Sequence, residues 1–376
     1  VTDIPPGALA TAAAELSAQL DAVDAQLLEL LAQRARIVSD GADLTPAGHV
    51  AGDADLRRAR AIELGLDPAQ IESIYQKLAP AGGDRQTEPG VSAVAQSDPK
   101  RVGIIGGAGA MGGLLARMFA ELGHRVELAD LNTPRSSEEV AAEADVVVIS
   151  VPISVTEDVI RRVGPKLRPE ALLMDVTSIK SGPLSTMLAA TRASVVGTHP
   201  MFGPGAQSLA GQRVVVCQGR GAAWHAWVVE SFRARGLVVT EAGPDEHDRA
   251  MALVQVLTHF QTQVFGLALA RSGVPLAESR RFTSPAYLLE LYIAARHFAQ
   301  AADLYGPIEM RNPATAQITA QFRRAADELA EILETRDQAR FEATFREVRA
   351  FFGEFAQEAT EQSRFLIDRM VERSIG

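Results

Sequence analysis

The feature that most constrains this chain is a glycine cluster at a change of periodicity. Residues 101–105 read as a short β-branched strand, and the chain then runs Gly106-Gly107-Ala108-Gly109-Ala110-Met111-Gly112 into the helical pattern of residues 111–122. Gly107, Gly109 and Gly112 satisfy the spacing GxGxxG in that strand-to-helix context. A side chain at the first two would block a tight turn and the close approach of a pyrophosphate, while a helix opening near Met111 turns unpaired N–H groups toward phosphate. Asp130 ends the next strand pattern about 20 residues on, where a carboxylate accepts hydrogen bonds from ribose hydroxyls and repels a 2′-phosphate. The expectation is a Rossmann domain that binds NAD. Arg135, close to Asn132, keeps NADP open as the alternative, because a guanidinium can receive the extra phosphate. A bare glycine turn is the bland alternative, and strand, helix and acid together count against it.

Around this cluster the chain divides. Short apolar runs at 101–105, 125–129 and 146–151 alternate with helical patterns, which implies a parallel sheet with helices on both faces over residues 100–247. From residue 248 strand signals vanish, and 253–270, 286–301, 315–335 and 339–369 keep helical periodicity. Upstream, Leu20, Val23, Leu27, Leu30 and Leu31 fall on one stripe of a long helix ending near 39–41, expected to be buried, and shorter helices are expected at 53–64 and 68–78. Residues 80–99 hold Pro, Gly, Ser and Gln and few large apolar side chains, so they read as a linker. The expected order is an all-α domain at 1–79, the linker at 80–99, an α/β Rossmann domain at 100–247 and an all-α domain at 248–376, the last expected to bind substrate and to form a dimer surface.

Length and charge narrow the function. A chain of 376 residues needs more than one core, since single cores stop growing near roughly 250–300 residues. Its longest apolar run, 146–155, is broken by Ser150, Pro152 and Ser154 and falls far short of the roughly 20 residues of a membrane span. A formal net charge of −10 argues against a nucleic-acid binder and obliges any anionic substrate to meet local cations. Cys217 is the only cysteine, so no intrachain disulfide can form, and residues 1–14 carry no basic-then-apolar leader. A cytoplasmic protein without nucleic-acid or membrane partners is expected.

Further motifs follow the glycine cluster: Ser150-Val151-Pro152-Ile153, Ser178-Ile179-Lys180-Ser181-Gly182-Pro183, His199-Pro200-Met201-Phe202-Gly203-Pro204, Glu246-His247-Asp248, Thr258-His259-Phe260, and Ser284-Pro285 leading to Arg296-His297-Phe298. Over roughly residues 100–370 the chain resembles the prephenate dehydrogenase family, and most of all its bifunctional members, in which a helical chorismate mutase domain precedes the dehydrogenase. The resemblance implies NAD-dependent oxidative decarboxylation of prephenate to 4-hydroxyphenylpyruvate. His199 matches the family's catalytic histidine, and an imidazole with an ordinary pKa of about 6.5 suits removal of the ring hydroxyl proton. Ser178 matches the serine that shares that hydroxyl, and Arg296 the arginine that clamps a substrate carboxylate. His247 and His259 match family histidines and are assigned to the substrate, with packing or hydrogen bonding as the alternative. Lys180 is assigned to the substrate or nicotinamide region. Met111, Ser150 and Pro152 join the three glycines and Asp130 around the cofactor.

Some positions depart from the family pattern. Leu288 stands where close bifunctional relatives carry an arginine, which removes one potential cation. Residues 8–79 resemble the chorismate mutase fold through the apolar stripe, Asp21, Asp24 and Arg34, yet Ser17 replaces an expected arginine, Thr45 an expected lysine, and no Arg-Glu dipeptide occurs between 46 and 64. Arg34 and Gln76 remain. The expectation is a degenerate mutase domain kept for dimerisation or for docking a separate mutase, in a homodimer; an active site rebuilt around Arg57 and Arg58 is the alternative. Two rival functions stay open: a 4-amino-4-deoxyprephenate dehydrogenase, and a non-catalytic NAD-binding regulator, against which the set Ser178, His199 and Arg296 speaks.

Overall fold

The computed structural model describes residues 6–42, 54–78, 98–206 and 208–375. The chain divides into two compact units, Val1–Arg85 and Gln86–Gly376. That boundary falls in the expected linker, whose residues 80–97 lie outside the described ones.

The first unit contains α1 (Pro6–Ala42), α2 (Ala54–Glu63) and α3 (Pro68–Leu78), the three helices expected from periodicity. Arg57 of α2 ties the short helices together, reaching Glu72 at 3.3 Å and lying 4.8 Å over the Tyr75 ring. The stripe of α1 is not buried as expected: Leu20 is 64% and Leu27 52% exposed.

In the second unit the strands are β1 (Arg101–Ile105), β2 (Arg125–Ala129), β3 (Val146–Ile149), β4 (Leu172–Asp175), β5 (Ser194–Pro200), β6 (Arg213–Arg220) and β7 (Val238–Glu241). They form one sheet in the order β2-β1-β3-β4-β5-β6-β7. Pairing is parallel except between β5 and β6. The expected purely parallel sheet is therefore mixed, because β5 returns directly into β6 and only a parallel neighbour requires a crossover helix. Helices α4 (Ala110–Glu121), α5 (Ser137–Glu143), α6 (Ile153–Val163), α7 (Ser181–Ala190) and α8 (Ala222–Ala234) connect the other strands. Within β3, Val146 and Val148 enter one core with Leu115 and Met174, while Val147 and Ile149 enter the other with Ile160 and Leu173. Burial on both faces explains why this strand reads as an unbroken apolar run. Since β2 and β3 flank β1, the topology reverses there and opens a crevice at the carboxyl ends of β1 and β3.

From residue 244 the chain is helical. A nearly continuous path runs through α9 (Pro244–Met251), a π-helical turn at Ala252–Leu257 and α10 (Thr258–Arg271), so the expected helix at 253–270 opens with an irregular turn. Then come α11 (Leu276–Arg281), α12 (Pro285–Phe298), α13 (Ala302–Arg311), α14 (Thr315–Thr335), α15 (Gln338–Phe352) and α16 (Phe355–Ile375). The pattern at 339–369, read as one helix, is two. Gly353, at φ +51°, turns the chain between them in a conformation that side-chain-bearing residues rarely adopt. The buried apolar cluster here is small: Ala252, Val256 and Ile318. No described helix is long and apolar enough to cross a membrane.

Candidate active site

The glycine turn sits at the topological crevice. Gly106, which the GxGxxG spacing does not include, carries the decisive constraint: its φ is +84°, and a Cβ there would lie 2.3 Å from the carbonyl oxygen of Ser150. Cβ atoms on Gly107 and Gly112 would meet the Leu128 side chain at 2.7 Å and the Gly106 carbonyl at 2.5 Å. Packed this tightly, the turn brings backbone against the helix. Gly109 caps α4 without a side chain, leaving first-turn N–H groups at Met111 for an anion. Asp130 closes the turn from β2, accepting from Ala108 N–H at 3.0 Å and Leu131 N–H at 2.8 Å. Ser150 N–H donates to the Ile105 carbonyl, and Pro152 caps α6. Arg135, the residue that kept a 2′-phosphate open, is committed to Glu127 at 3.0 Å and Glu143 at 2.8 Å. These residues fit NAD: the cradle is glycine where a side chain would fill it, and the ribose end carries a carboxylate, while Arg135 is already paired with Glu127 and Glu143.

Across the same edge of the sheet, His199 lies near the end of β5, with Ser178 half-buried on the segment after β4, its parallel neighbour. The His199 ring is buried. Its Nδ1 is 2.9 Å from His247 Nε2, and its Nε2 is 3.4 Å from the Gln255 side-chain amide. His247 Nδ1 in turn lies 2.8 Å from Asp248 Oδ1. Burial first, then neighbouring His247 and Lys180, hold the His199 imidazolium well below the usual range, so the ring is a neutral acceptor at physiological pH. Burial works to raise the Asp248 carboxyl, but hydrogen bonds from His247, Ser181 and Lys180 outweigh it and bring its pKa to about 2. Asn312 secures this segment from the C-terminal helices, donating to the Asp248 carbonyl at 2.8 Å. Asp248 stands in the sequence only as part of the motif at 246–248, with no role assigned, and Gln255 and Asn312 carry no signal there, because the partners that give them their tasks come from distant segments.

Lys180 stands elsewhere than expected. Its side chain is fully buried and pairs with Asp175, and it also donates to the Thr198 carbonyl at 2.6 Å and lies 3.3 Å from Thr177 Oγ1. All its donors are directed into the protein. Lys180 therefore braces β4 against β5 beneath His199 rather than presenting an ammonium to a ligand.

Arg296 is exposed on α12 and makes no ion pair or side-chain hydrogen bond among the described residues. Close by in sequence, His297 is buried, stacked on Tyr305 at 3.9 Å and within 3.1 Å of the Gln263 amide. His259 packs edge-on against Tyr305 at 4.8 Å, with Nδ1 3.7 Å from Glu309, which is too far for a hydrogen bond. Burial and then the neighbouring His297 lower its pKa to about 4. The geometry thus separates the expected histidines: His247 belongs to the chain of groups behind His199, whereas His259 belongs to a cluster with His297, Tyr305 and Glu309.

Two family models match the second unit: prephenate dehydrogenase, nucleotide-binding domain, over residues 117–240, and prephenate dehydrogenase, dimerization domain, over residues 243–347. The T-protein of Haemophilus influenzae is 32% identical over 363 residues, covering 94% of this chain and 96% of that protein. The chain belongs to the prephenate dehydrogenase family. A 4-amino-4-deoxyprephenate dehydrogenase of Streptomyces pristinaespiralis is 31% identical, over 68% of this chain and 92% of that one. The fold is shared with a prephenate dehydrogenase from A. aeolicus solved in complex with hydroxyphenyl propionate and NAD+, at a TM-score of 0.57 and 17% identity, over 68% of this chain and 98% of that one. The nucleotide-binding match begins after the glycine turn, so assignment of that turn rests on its own geometry. The T-protein match also extends through the N-terminal helices. Ser17, exposed on α1, offers no cation there, Arg34 lies 5.5 Å over Tyr75, and Arg57 is held by Glu72. Thr45 and the side chain of Gln76 lie outside the described residues.

Proposed function

We propose that this prephenate dehydrogenase oxidises and decarboxylates prephenate to 4-hydroxyphenylpyruvate, with NAD as hydride acceptor. The observation that carries the reading is His199: a buried, neutral imidazole whose Nδ1 is engaged from behind, on the edge of the sheet that holds the nucleotide turn. When bound, NAD supplies the site with an acceptor for the hydride that leaves the ring carbon bearing the hydroxyl. His199 Nε2 takes the hydroxyl proton, with Ser178 sharing that oxygen. The ring carboxylate departs as carbon dioxide and leaves its electron pair to the ring, which becomes aromatic as a phenolate, and the proton held on His199 returns to that oxygen to give the hydroxyl of the product. Arg296, exposed and unpaired among the described residues, is the cation for the side-chain carboxylate. The protein's contribution is to orient the pair, receive one proton and place charge.

The test is appearance of reduced-cofactor absorbance when the pure protein is mixed with NAD and prephenate. Faster turnover of 4-amino-4-deoxyprephenate, the reaction named for the Streptomyces relative, would replace this reading. The N-terminal unit we assign a structural role. Losing three charge-assisted contacts at about 1.5–3 kcal/mol each removes at least about a thousandfold in rate, and chorismate should keep its absorbance without NAD. Turnover near 10 per second, about the enzyme median, would overturn that. The open stripe of α1 and exposed apolar residues of the C-terminal helices support a homodimer, and the single buried Cys217 suits the cytoplasm.

A further inference from the structure

We propose that Asp248 and His247 fix the tautomer of His199, so that the lone pair which accepts the substrate proton lies on Nε2, and that His247 is a positioning residue rather than a substrate contact. The argument begins at the carboxylate. Asp248 accepts from the backbone N–H groups of Lys180 at 2.8 Å and Ser181 at 2.9 Å, at the start of α7, where the helix dipole favours an anion. Both oxygens are then acceptors. The ring nitrogen 2.8 Å from Oδ1, His247 Nδ1, must carry a proton to bond there.

In a neutral imidazole with a protonated Nδ1, the other nitrogen is an acceptor. His247 Nε2 faces His199 Nδ1 at 2.9 Å, so His199 supplies the proton of that bond. His199 Nε2 is left as the lone pair. The amide of Gln255, 3.4 Å away, donates toward it and marks the position that a substrate hydroxyl would take. The chain of bonds has one polarity, set at Asp248 and read out at His199. When His199 gains the substrate proton, the cation on its ring is stabilised through His247 toward the Asp248 carboxylate, and no further transfer is needed. The kinetic part of the proposal rests on the dehydrogenase reading; the tautomer does not.

The experiment labels the histidines with ¹⁵N in the full-length protein and reads ring-nitrogen shifts at neutral pH, with His199→Asn assigning the signal. The expected result is a protonated Nδ1 and an unprotonated Nε2 on His199. The reverse tautomer in the unmodified protein, which a cationic His247 would impose, overturns the proposal whether or not any variant folds. For kinetics, His247→Leu should lower kcat by about 10²–10⁴, the upper end being the loss when a catalytic histidine is left in the wrong tautomer. KM should stay within about threefold. His247→Gln, which keeps an acceptor facing Nδ1, should recover about tenfold or more of the loss. A rise in KM with kcat and the ¹⁵N signature unchanged would make His247 a substrate contact and overturn the proposal. Absence of activity on prephenate alongside the expected tautomer would overturn the functional reading instead.

Discussion

The sheet and the C-terminal helices draw on similar apolar residues and reach opposite degrees of closure. Strands β3 and β4 are buried along their whole length, and both faces of the sheet meet helices of the same chain. In the helical part the buried cluster is small, while Phe351 and Met310 are each 84% exposed. Exposed apolar area of this kind marks interaction sites or ligand grooves. The division also sorts the chemistry. The nucleotide turn, His199 and its supporting groups stand on or beside closed, hydrogen-bonded elements, where positions are held tightly. Arg296 stands on a half-open helix, where a cation can reach an incoming anion. On the proposed reading, the closed part holds what must be placed to a few tenths of an ångström, and the open part is where we assign recognition and assembly.

The strongest way to break this division is His199→Asn. Turnover should fall by about 10²–10⁴, the usual contribution of a general base, with NAD affinity and thermal unfolding nearly unchanged; near-normal turnover would put the base elsewhere. Next in size, Arg296→Ala should raise KM for prephenate by about 10- to 150-fold, the equivalent of one charge-assisted contact of about 1.5–3 kcal/mol. Steady-state kinetics would show kcat little altered. If only thermal stability dropped, Arg296 would belong to the scaffold. A third substitution, Phe351→Ser, should weaken self-association by about tenfold, from the apolar area no longer buried between copies, and sedimentation at several concentrations would show it. An unchanged dissociation constant would mean that this face is not the contact.

The smallest effect is the pH response. A lowered His199 pKa keeps the neutral, proton-accepting ring as pH falls through 6.5. From pH 7.5 to 6, kcat/KM should change by less than about twofold, whereas a histidine at the ordinary 6.5 would lose about fourfold. An acid limb centred on 6.5 would show that the ring is open to water and the closed region less closed than described.

Legibility in the sequence follows the range of the interactions involved. The glycine spacing, the strand before it and Asp130 lie within about 30 residues, and local periodicity was enough to place them. His199 stood out through its motif. Gly106 did not, because its need for glycine comes from the Ser150 carbonyl, a strand away. Lys180 looked like a ligand-binding cation until burial against Asp175 and Thr198 gave it a different task. The break at Gly353 was hidden by helical periodicity that continues on both sides of it.

What the sequence by itself determined, then, is the order of helical and α/β segments, the glycine turn between strand and helix, and the family. These depend on contacts between near neighbours or on residue identity alone. What only the tertiary structure decided is the arrangement behind the base. His247 lies 48 residues from His199, and Asp248 meets the backbone of Lys180 across 68. A hydrogen bond has length and direction but no signature in the chain. It exists only once folding has carried β5, α7 and α9 to the same edge of the sheet.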